Sequence, residues 1–216
     1  MSSLLYISSL PLLAQIPDPP KHLHIKGTLP DPSFPTIAVV GTRQVTDYGR
    51  KVTWELTQNL VKKGFVIVSG FMYGVDAIAH RSCVAAGGRT IAVLGYGLDA
   101  PYFPHSHATL AQEILESGGC LVSEFAPNTP AVPQNFPLRN RIVSGLSLGV
   151  LVTEAAKHSG SLITARLAVE QGREVFAIPG PIDSPYSEGT KELVNMGAKL
   201  VTSVEDIVEE LPNHMT

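Results

Sequence analysis

The sequence predicts an α/β fold with a doubly wound, mostly parallel sheet. The first observation is a series of short apolar runs without alternation of apolar and polar residues, which is typical of strands buried on both faces. The second is that helical stretches lie between these runs, several of them ending at a glycine, as helix C-termini prefer. The third is that 44% of the 216 residues are hydrophobic, enough for one sizeable domain with a large core. Alternating strands and helices form a parallel sheet covered by helices on both sides.

Residues 1–36 precede this pattern and contain seven prolines. Proline removes a backbone donor and fixes φ, so we expect a mostly extended, Pro-rich N-terminal lead-in that is strapped onto the domain. Residues 37–211 form the predicted domain, and residues 212–216 form a short tail. The predicted strands are Ile37–Val40, Phe65–Ser69, Thr90–Leu94, Cys120–Ser123, Val150–Thr153 and Glu174–Ile178. The predicted helices are Tyr48–Lys63, Asp76–Ala86, Ala108–Ser117, Arg139–Leu146, Ser161–Gln171 and Ser187–Met196, and the terminating glycines are Gly64, Gly87, Gly118, Gly172 and Gly197.

Charge and cysteine content narrow the class of protein. The formal net charge is −3, which counts against a uniformly basic nucleic-acid-binding surface but permits a local basic patch. Cys83 and Cys120 lie in no Cys-x-x-Cys pair, so we expect buried thiols in a reducing compartment rather than a metal site. No apolar stretch is long enough to span a membrane, and Met1–Leu13 lacks the basic start and cleavage site of a signal peptide. We therefore expect a cytoplasmic location.

Function is expected in the loops that follow the strands, because ligands of such sheets bind outside the carboxyl ends of the strands. The first of these loops is Gly41–Arg43, where glycine permits close approach and the cation can meet a phosphate; a plain surface arginine is the equally weighted alternative. The second loop, Ser69–Val75, leads into a helix N-terminus whose free N–H groups suit an anion. Asp76 is expected to cap that helix and His80 to be a packed residue.

Two later segments carry the strongest signals for a polyanionic ligand. Phe136 stands three residues before the charged tripeptide Arg139–Arg141. An arginine fork pairs with phosphates and an aromatic ring can stack on a base. One of the two arginines is expected to hold internal carboxylates or carbonyl groups instead. Lys157–Ser161 offers a cation, hydroxyls and backbone donors at a helix start, which makes a second anion cradle. Several such sites along one sheet edge favour a polyanion, although one large nucleotide would also fit.

Taken together, these segments resemble the DNA-processing protein A family, also called Smf. The resemblance runs from about residue 16 to residue 210, with its motifs in the family's order. The matching stretches are Val40–Arg43, Ser69–Asp76 with His80, Thr90–Gly95, Phe136–Ile142 with Gly145–Ser147, Ser159–Ala165, Gly172–Ala177 with Pro179-Gly180, and Gly197-Ala198. Met72 and Tyr73 depart from the family, in which alanine and arginine are common at these positions.

The resemblance implies an extended Rossmann-like DNA-binding domain over residues 37–211. It implies a protein that binds and protects incoming single-stranded DNA and loads the RecA recombinase in natural transformation. It also implies homodimerisation through the later part of the domain, and no catalytic residue, metal ion or cofactor. The residues then expected to line the DNA groove are Gly41, Thr42, Arg43, Ser69, Gly70, Gly74, Phe136, Arg139, Asn140, Arg141, Lys157, His158, Ser159, Gly160 and Ser161.

Two other functions stay open at the level of the sequence. The first is a nucleotide-handling enzyme on the same fold, such as a hydrolase of nucleoside monophosphates, with the strand-end Glu154 as general base. Against it stands the lack of a Pro-Gly-Gly-x-Gly-Thr loop followed by a glutamate. The second is a dimeric scaffold for a partner protein, which the near-neutral charge and the apolar segments 176–178 and 193–200 would suit.

Overall fold

The computed structural model describes residues 3–211, which form a nine-stranded sheet with helices on both faces. The strands are β1 Ser3–Tyr6, β2 His22–Gly27, β3 Thr36–Val40, β4 Val66–Ser69, β5 Thr90–Val93, β6 Cys120–Ser123, β7 Gly149–Val152, β8 Glu174–Ala177 and β9 Lys199–Leu200. The helices are α1 Pro11–Ala14, α2 Asp47–Lys62, α3 Val75–Ala85, α4 Ala108–Glu116, α5 Asn135–Gly145, α6 Gly160–Glu170, α7 Glu188–Asn195 and α8 Glu205–Val208. Short 3₁₀ turns occupy Ile7–Ser9, His105–His107 and Pro185–Ser187.

The order of strands across the sheet is β1-β2-β6-β5-β4-β3-β7-β8-β9. In this order, the seven strands from β6 through to β9 are mutually parallel. At one edge β2 runs antiparallel to β6, and β1 runs antiparallel to β2. From β3 the chain builds the sheet in one direction up to β6, and then in the other direction from β7. This reversal between β3 and β7 is a topological switch point, where ligands bind in open α/β sheets. The predicted doubly wound, mostly parallel fold is confirmed.

The predicted strands and helices from residue 37 onward are present, with shifts of a few residues at their ends. The glycines predicted to end helices, at positions 64, 87, 118, 172 and 197, all have positive φ between 68° and 103°. A side chain rarely adopts this conformation, so glycine ends these helices with little strain. The helix C-termini were therefore predictable from single residues.

The lead-in takes part in the sheet instead of lying only over it. β1 pairs with β2, and β2 pairs with β6 through partners such as Ile25 and Val122. In β2, buried Leu23 and Ile25 alternate with more exposed neighbours, and this period-2 pattern was a strand signal in the sequence. The division at residue 36 into lead-in and domain stays a prediction. The predicted tail, residues 212–216, lies outside the described residues.

Helix α5 begins at Asn135, four residues before the predicted start at Arg139. Pro137 lies in the first turn of this helix, where proline is tolerated because its missing N–H costs nothing. The earlier start places Arg139 and Arg141 on a helix, about 200° apart around its axis. One of them therefore faces the sheet while the other faces away.

Both cysteines are buried and free. Burial raises the pKa of the Cys83 thiol and of the Cys120 thiol to about 12, so both behave as small apolar residues. Among residues 3–211, no helix is long and apolar enough to cross a bilayer.

Candidate functional site

A cleft of about 850 Å³ opens at the carboxyl ends of β3, β4 and β7. Its walls are the loops after these strands and the first turns of α5 and α6, so it lies at the topological switch point. The predicted site residues that line it are Gly41, Thr42, Arg43, Gly70, Phe136, Arg139, Asn140, Lys157, His158, Ser159, Gly160 and Ser161. Ser69, Gly74 and Arg141 do not line it.

The loop after β3 is held from both sides by main-chain hydrogen bonds. The N–H of Thr42 donates to the carbonyl of Glu154 at 2.7 Å, and the N–H of Val75 donates to the carbonyl of Thr42 at 3.1 Å. Gly74, the N-cap of α3, has φ +78°, and a Cβ there would lie 2.7 Å from the Cα of Arg43. Gly74 thus permits the close approach of the two loops, and the exposed side chain of Arg43 stands at the rim of the cleft.

Ser69 stabilises the sheet and does not line the cleft. Its hydroxyl is buried and donates to the carbonyl of Val39 at 2.7 Å, which joins β4 to β3. Of the two residues predicted from the Ser69-Gly70 motif, only Gly70 lines the cleft. A serine at the last residue of a central strand is buried with the strand itself.

Glu154 is 4% exposed and is engaged by a single residue, Thr46. One carboxylate oxygen accepts the N–H of Thr46 at 3.0 Å and the other accepts its hydroxyl at 2.6 Å. The hydroxyl oxygen of Thr46 in turn accepts the N–H of Gly49, which caps α2. Glu154 therefore fixes the start of α2 next to β7, and it does not line the cleft.

Arg139 forms part of the cleft floor and is only 3% exposed. Its guanidinium donates to the carbonyl of Val93 and lies behind Gly70, where a Cβ would be 2.7 Å from both terminal nitrogens. Asp76 lies against the same face of Gly70. Burial raises the pKa of Asp76, while the charges of Arg139 and Arg43 act to lower it. Arg139 thus packs within the floor of the cleft and also gives the floor a positive charge.

Arg141 lies on the opposite side of α5 and points away from the cleft. Its two terminal nitrogens donate to the two carboxylate oxygens of Glu124, each at 2.7 Å, and its Nε donates to Asp18 at 3.0 Å. The forked pair with Glu124 satisfies the guanidinium within the fold. The expectation that Arg141 lines a DNA groove is not met by this geometry, because the residue joins the lead-in and the loop after β6 to α5.

The N-terminus of α6 forms the second wall of the cleft. The hydroxyl oxygen of Ser159 accepts the N–H of Ser161 at 3.4 Å as the N-cap, and the hydroxyls of the two serines are 2.8 Å apart. Lys157 and His158 are exposed beside them. The side-chain amide of Asn140 donates to the carbonyl of Gly160 at 3.4 Å, which joins α5 to this wall. A helix start with free N–H groups and an adjacent cation suits an anion.

His80 is fully buried and neutral, as the packing interpretation expected. Its ring nitrogens lie 2.6 Å from the carbonyl of Gly70 and 2.7 Å from the hydroxyl of Thr90. Burial, with a smaller contribution from neighbouring positive groups, lowers the pKa of His80 to about 4. Asp76 is the second residue of α3 and not its cap, because Gly74 holds the cap position and the carboxylate accepts the N–H of Met72 at 3.2 Å.

Aromatic rings and one cross-cleft contact complete the site. Phe136 is half-buried and packs against Phe103, with ring centroids 5.8 Å apart. On the other side of the cleft, the Tyr186 hydroxyl lies 3.0 Å from the side-chain oxygen of Gln44, to which it donates. The sequence analysis did not identify Gln44 or Tyr186. They are 142 residues apart, and neither belongs to a motif with a recognisable spacing.

The chemistry of the cleft is that of an anion site. Its exposed cations, Arg43 and Lys157, lie on the loops after β3 and β7, and the buried Arg139 also lines the cleft. Within residues 3–211, no group of three or more His, Cys, Asp or Glu side chains is placed to hold a metal ion.

Comparison with known proteins was made at the level of sequence and of fold. Residues 7–212 match the family model described as DNA recombination-mediator protein A. Protein Smf of Escherichia coli K12 is 49% identical over 201 residues, which are 93% of this chain and 54% of that protein. The chain thus spans about half the length of this relative.

Two solved structures share the fold over nearly the whole chain. DNA processing protein A from Streptococcus pneumoniae has 40% sequence identity and a TM-score of 0.89, covering 98% of this chain and 75% of that one. DNA processing protein A from Helicobacter pylori, described with a unique single-stranded DNA binding mode, has 31% identity and a TM-score of 0.85. That match covers 97% of this chain and 94% of the other.

Proposed function

The chain belongs to the DNA recombination-mediator protein A family, and from this premise we propose that its cleft binds single-stranded DNA. The observation that carries the proposal is the row of anion-binding features at one sheet edge, formed by Arg43, Lys157 and the N-terminus of α6. Separate features along an open cleft suit the successive phosphates of a strand better than one isolated phosphate. The single-stranded DNA binding described for the Helicobacter pylori relative supports the same ligand.

Bases would be held by the aromatic side chains at the cleft. Phe136 and Phe103 lie on one side of the cleft, and Tyr73, which is 49% exposed, lies on another. Stacking on aromatic rings tolerates every base, because every base has a π-face. The proposed binding is therefore directed at the backbone and the base faces, with little preference for sequence.

The proposal extends to the cellular role that the family resemblance implies. The protein protects incoming single-stranded DNA and loads the RecA recombinase on it during natural transformation, acts in the cytoplasm, and forms a homodimer through the later part of its domain. Exposed apolar side chains in that part support the dimer, since Ile182 is fully exposed and Met196 is 66% exposed. Apolar side chains mark a site of association where they form a contiguous patch, so the proposed interface would bring these two residues together.

The proposal gives the chain no catalytic step. The general base that a hydrolase of nucleotides would use at this strand end is Glu154, which does not line the cleft. Both of its oxygens accept hydrogen bonds from Thr46. The scaffold alternative differs in one measurable way, since a scaffold would bind its partner but not bare oligonucleotide.

The proposal is tested by competition between nucleic acids. A labelled single strand bound to the protein is challenged with unlabelled single strand or with a duplex of the same sequence, in equal nucleotide concentration. Displacement by the single strand at a much lower concentration than by the duplex is expected. Equal displacement by both, or no binding of the labelled strand, would contradict the proposal. The loading role is tested by the lag of RecA assembly on a strand coated with a single-strand-binding protein, which the chain should shorten.

A further inference from the structure

The first two turns of α2 and α3 carry a second set of basic side chains next to the cleft. Arg50 and Trp54 stand one turn apart on α2, and Arg81 stands on α3. The two helices are joined at this level, because the hydroxyl of Ser82 donates to the carbonyl of Trp54 at 2.6 Å. We call the surface made by Arg50, Trp54 and Arg81 the α2–α3 face.

The cations of this face are available to a ligand. Arg50 and Arg81 are exposed, and in the part of the chain that the structure describes their guanidinium groups take part in no ion pair and no hydrogen bond. The acidic side chain of Glu55 is turned toward a smaller cavity on the other side of α2. The exposed acid Asp47 lies at the N-terminus of α2, where it favours the helix dipole. The face is thus basic on a chain whose net charge is −3.

Trp54 gives the same face an aromatic platform. It is 37% exposed, although a ring of this size is mostly buried when it serves only the core. Arginines on either side of an exposed indole are a combination that binds a nucleic-acid strand, since the cations meet phosphates and the ring stacks on a base.

The α2–α3 face is continuous with the cleft. Gly74 begins α3 and touches the backbone of Arg43, which stands at the cleft rim. Arg50 follows the α2 cap, Thr46, by a single helical turn. From Thr46 to Trp54 the helix advances about 12 Å, a distance that a few nucleotides of an extended strand would cover. In chain order α2 is the first element after Arg43.

We propose that single-stranded DNA leaving the cleft past Arg43 continues across the α2–α3 face, with its phosphates on Arg50 and Arg81 and a base stacked on Trp54. This inference rests on the proposed single-strand binding by the cleft and assigns the direction in which a longer strand runs. The occupant is the strand rather than an acidic protein, because the face continues the surface that already binds phosphates.

The chain contains one tryptophan, so Trp54 fluorescence reports on this face alone. The protein is titrated with an oligo-dT of about 5 nucleotides and with one of about 20 nucleotides, lengths that bracket the site of a single small domain. Binding of each is followed in parallel by anisotropy of a dye on the oligonucleotide. The expected result is that both bind, and that only the longer strand quenches Trp54.

Variants separate the face from the cleft. The double variant Arg50→Gln, Arg81→Gln is expected to bind the longer oligonucleotide about 10-fold more weakly. The slope of its log affinity against log salt concentration should be smaller by about 0.7 for each lost phosphate contact. The shorter oligonucleotide is expected to bind as it does to the parent protein. Arg89→Gln is the matched control, because Arg89 is exposed but stands just before β5, at the sheet edge opposite the cleft.

The two proposals fail in different ways. Unchanged Trp54 fluorescence with the longer strand, together with unchanged affinity of the Arg50/Arg81 variant, would overturn the path while leaving binding by the cleft intact. Equal loss of both oligonucleotides in that variant would also overturn it, since the face would then not be specific to the longer strand. Failure of both oligonucleotides to bind the parent protein would overturn the cleft proposal and the path with it.

Discussion

Glu154 at the end of β7 holds Thr46 at the start of α2 by two hydrogen bonds, of 3.0 Å to its N–H and 2.6 Å to its hydroxyl. This relationship fixes the loop that carries Arg43, because the loop lies between β3 and Thr46. A carboxylate that looks catalytic from its position at a strand end is in fact part of the support of the rim. The loop that carries the exposed side chain of Arg43 is thus held in place by the contact of Glu154 with Thr46.

Replacing Glu154 by glutamine should therefore lower the stability of the fold and abolish no enzymatic activity. Glutamine keeps one acceptor oxygen, so one of the two Thr46 donors loses its partner, and the free energy of unfolding should fall by about 1 to 2 kcal/mol. Urea unfolding of parent and Glu154→Gln measures the difference. If the parent protein turned over a nucleotide and Glu154→Gln abolished that turnover, the supporting role would be wrong.

Arg139 should contribute to stability as well as to binding. Arg139→Ala removes the donor to the carbonyl of Val93 and the positive charge that faces Asp76 across Gly70. The expected loss is about 2 to 3 kcal/mol, because Arg139 is almost fully buried and its removal leaves the carbonyl of Val93 and the carboxylate of Asp76 without this partner.

A double-mutant cycle with Asp76→Asn isolates the interaction of the two charges. We expect a coupling free energy of about 1 kcal/mol, measured by urea unfolding of the two single variants and the double variant. Strictly additive losses would mean that Arg139 acts through Val93 and packing alone. Because Arg139 is only 3% exposed, its replacement by alanine is expected to affect the fold as well as binding.

Arg141→Ala should spare DNA binding and weaken the attachment of the lead-in. The guanidinium is engaged by Glu124 and Asp18 on the side away from the cleft. We expect a loss of about 1 kcal/mol in stability, since Arg141 and Glu124 are partly buried while Asp18 is mostly exposed. Oligonucleotide affinity should match that of the parent protein, and a loss comparable to that of Arg43→Ala would return Arg141 to the binding surface.

The free energy of unfolding should decrease as the pH is lowered, because His80 is buried as the neutral imidazole. The pKa of this residue is about 4 in the folded protein, against 6.5 without burial, so the unfolded chain binds the proton first. The contribution is complete above pH 6.5, is lost progressively as the pH falls toward 4, and amounts to about 3 kcal/mol in all. Urea unfolding across this window should show a slope of nearly one proton that is missing in His80→Gln. An identical pH slope in the variant would assign the acid sensitivity elsewhere.

The sequence predicts the parts of this site that depend on local rules. Strands buried on both faces, helices ended by glycine and loops at the carboxyl ends of strands are short-range patterns, and they place Arg43 and the Lys157–Ser161 loop correctly at one edge. The orientation of Arg139 and Arg141 depends on where α5 starts, and the predicted start at Arg139 was four residues too late. The contact of Gln44 with Tyr186 joins distant loops and leaves no pattern in the sequence.

The strand β2 shows a signal that was present but overlooked. Leu23 and Ile25 are buried while His22, His24 and Lys26 are partly exposed, as in an edge-side antiparallel strand. The density of prolines around this stretch favoured an extended strap instead. The pairing of β2 with β6 could not be predicted from the sequence, because it depends on which strand forms the free edge of the sheet, and this is known only from the assembled fold.

The most direct test of the account is the affinity of Arg43→Ala for a labelled oligo-dT, measured by fluorescence anisotropy over a series of salt concentrations. Binding by the parent protein should weaken with salt, because phosphate contacts release counterions. Arg43→Ala should bind about 10-fold more weakly, with a salt slope smaller by about 0.7, whereas Arg89→Ala at the opposite sheet edge should match the parent. If Arg43→Ala, shown to be folded, kept the parent's affinity and salt slope, the cleft would not be the site that binds the strand.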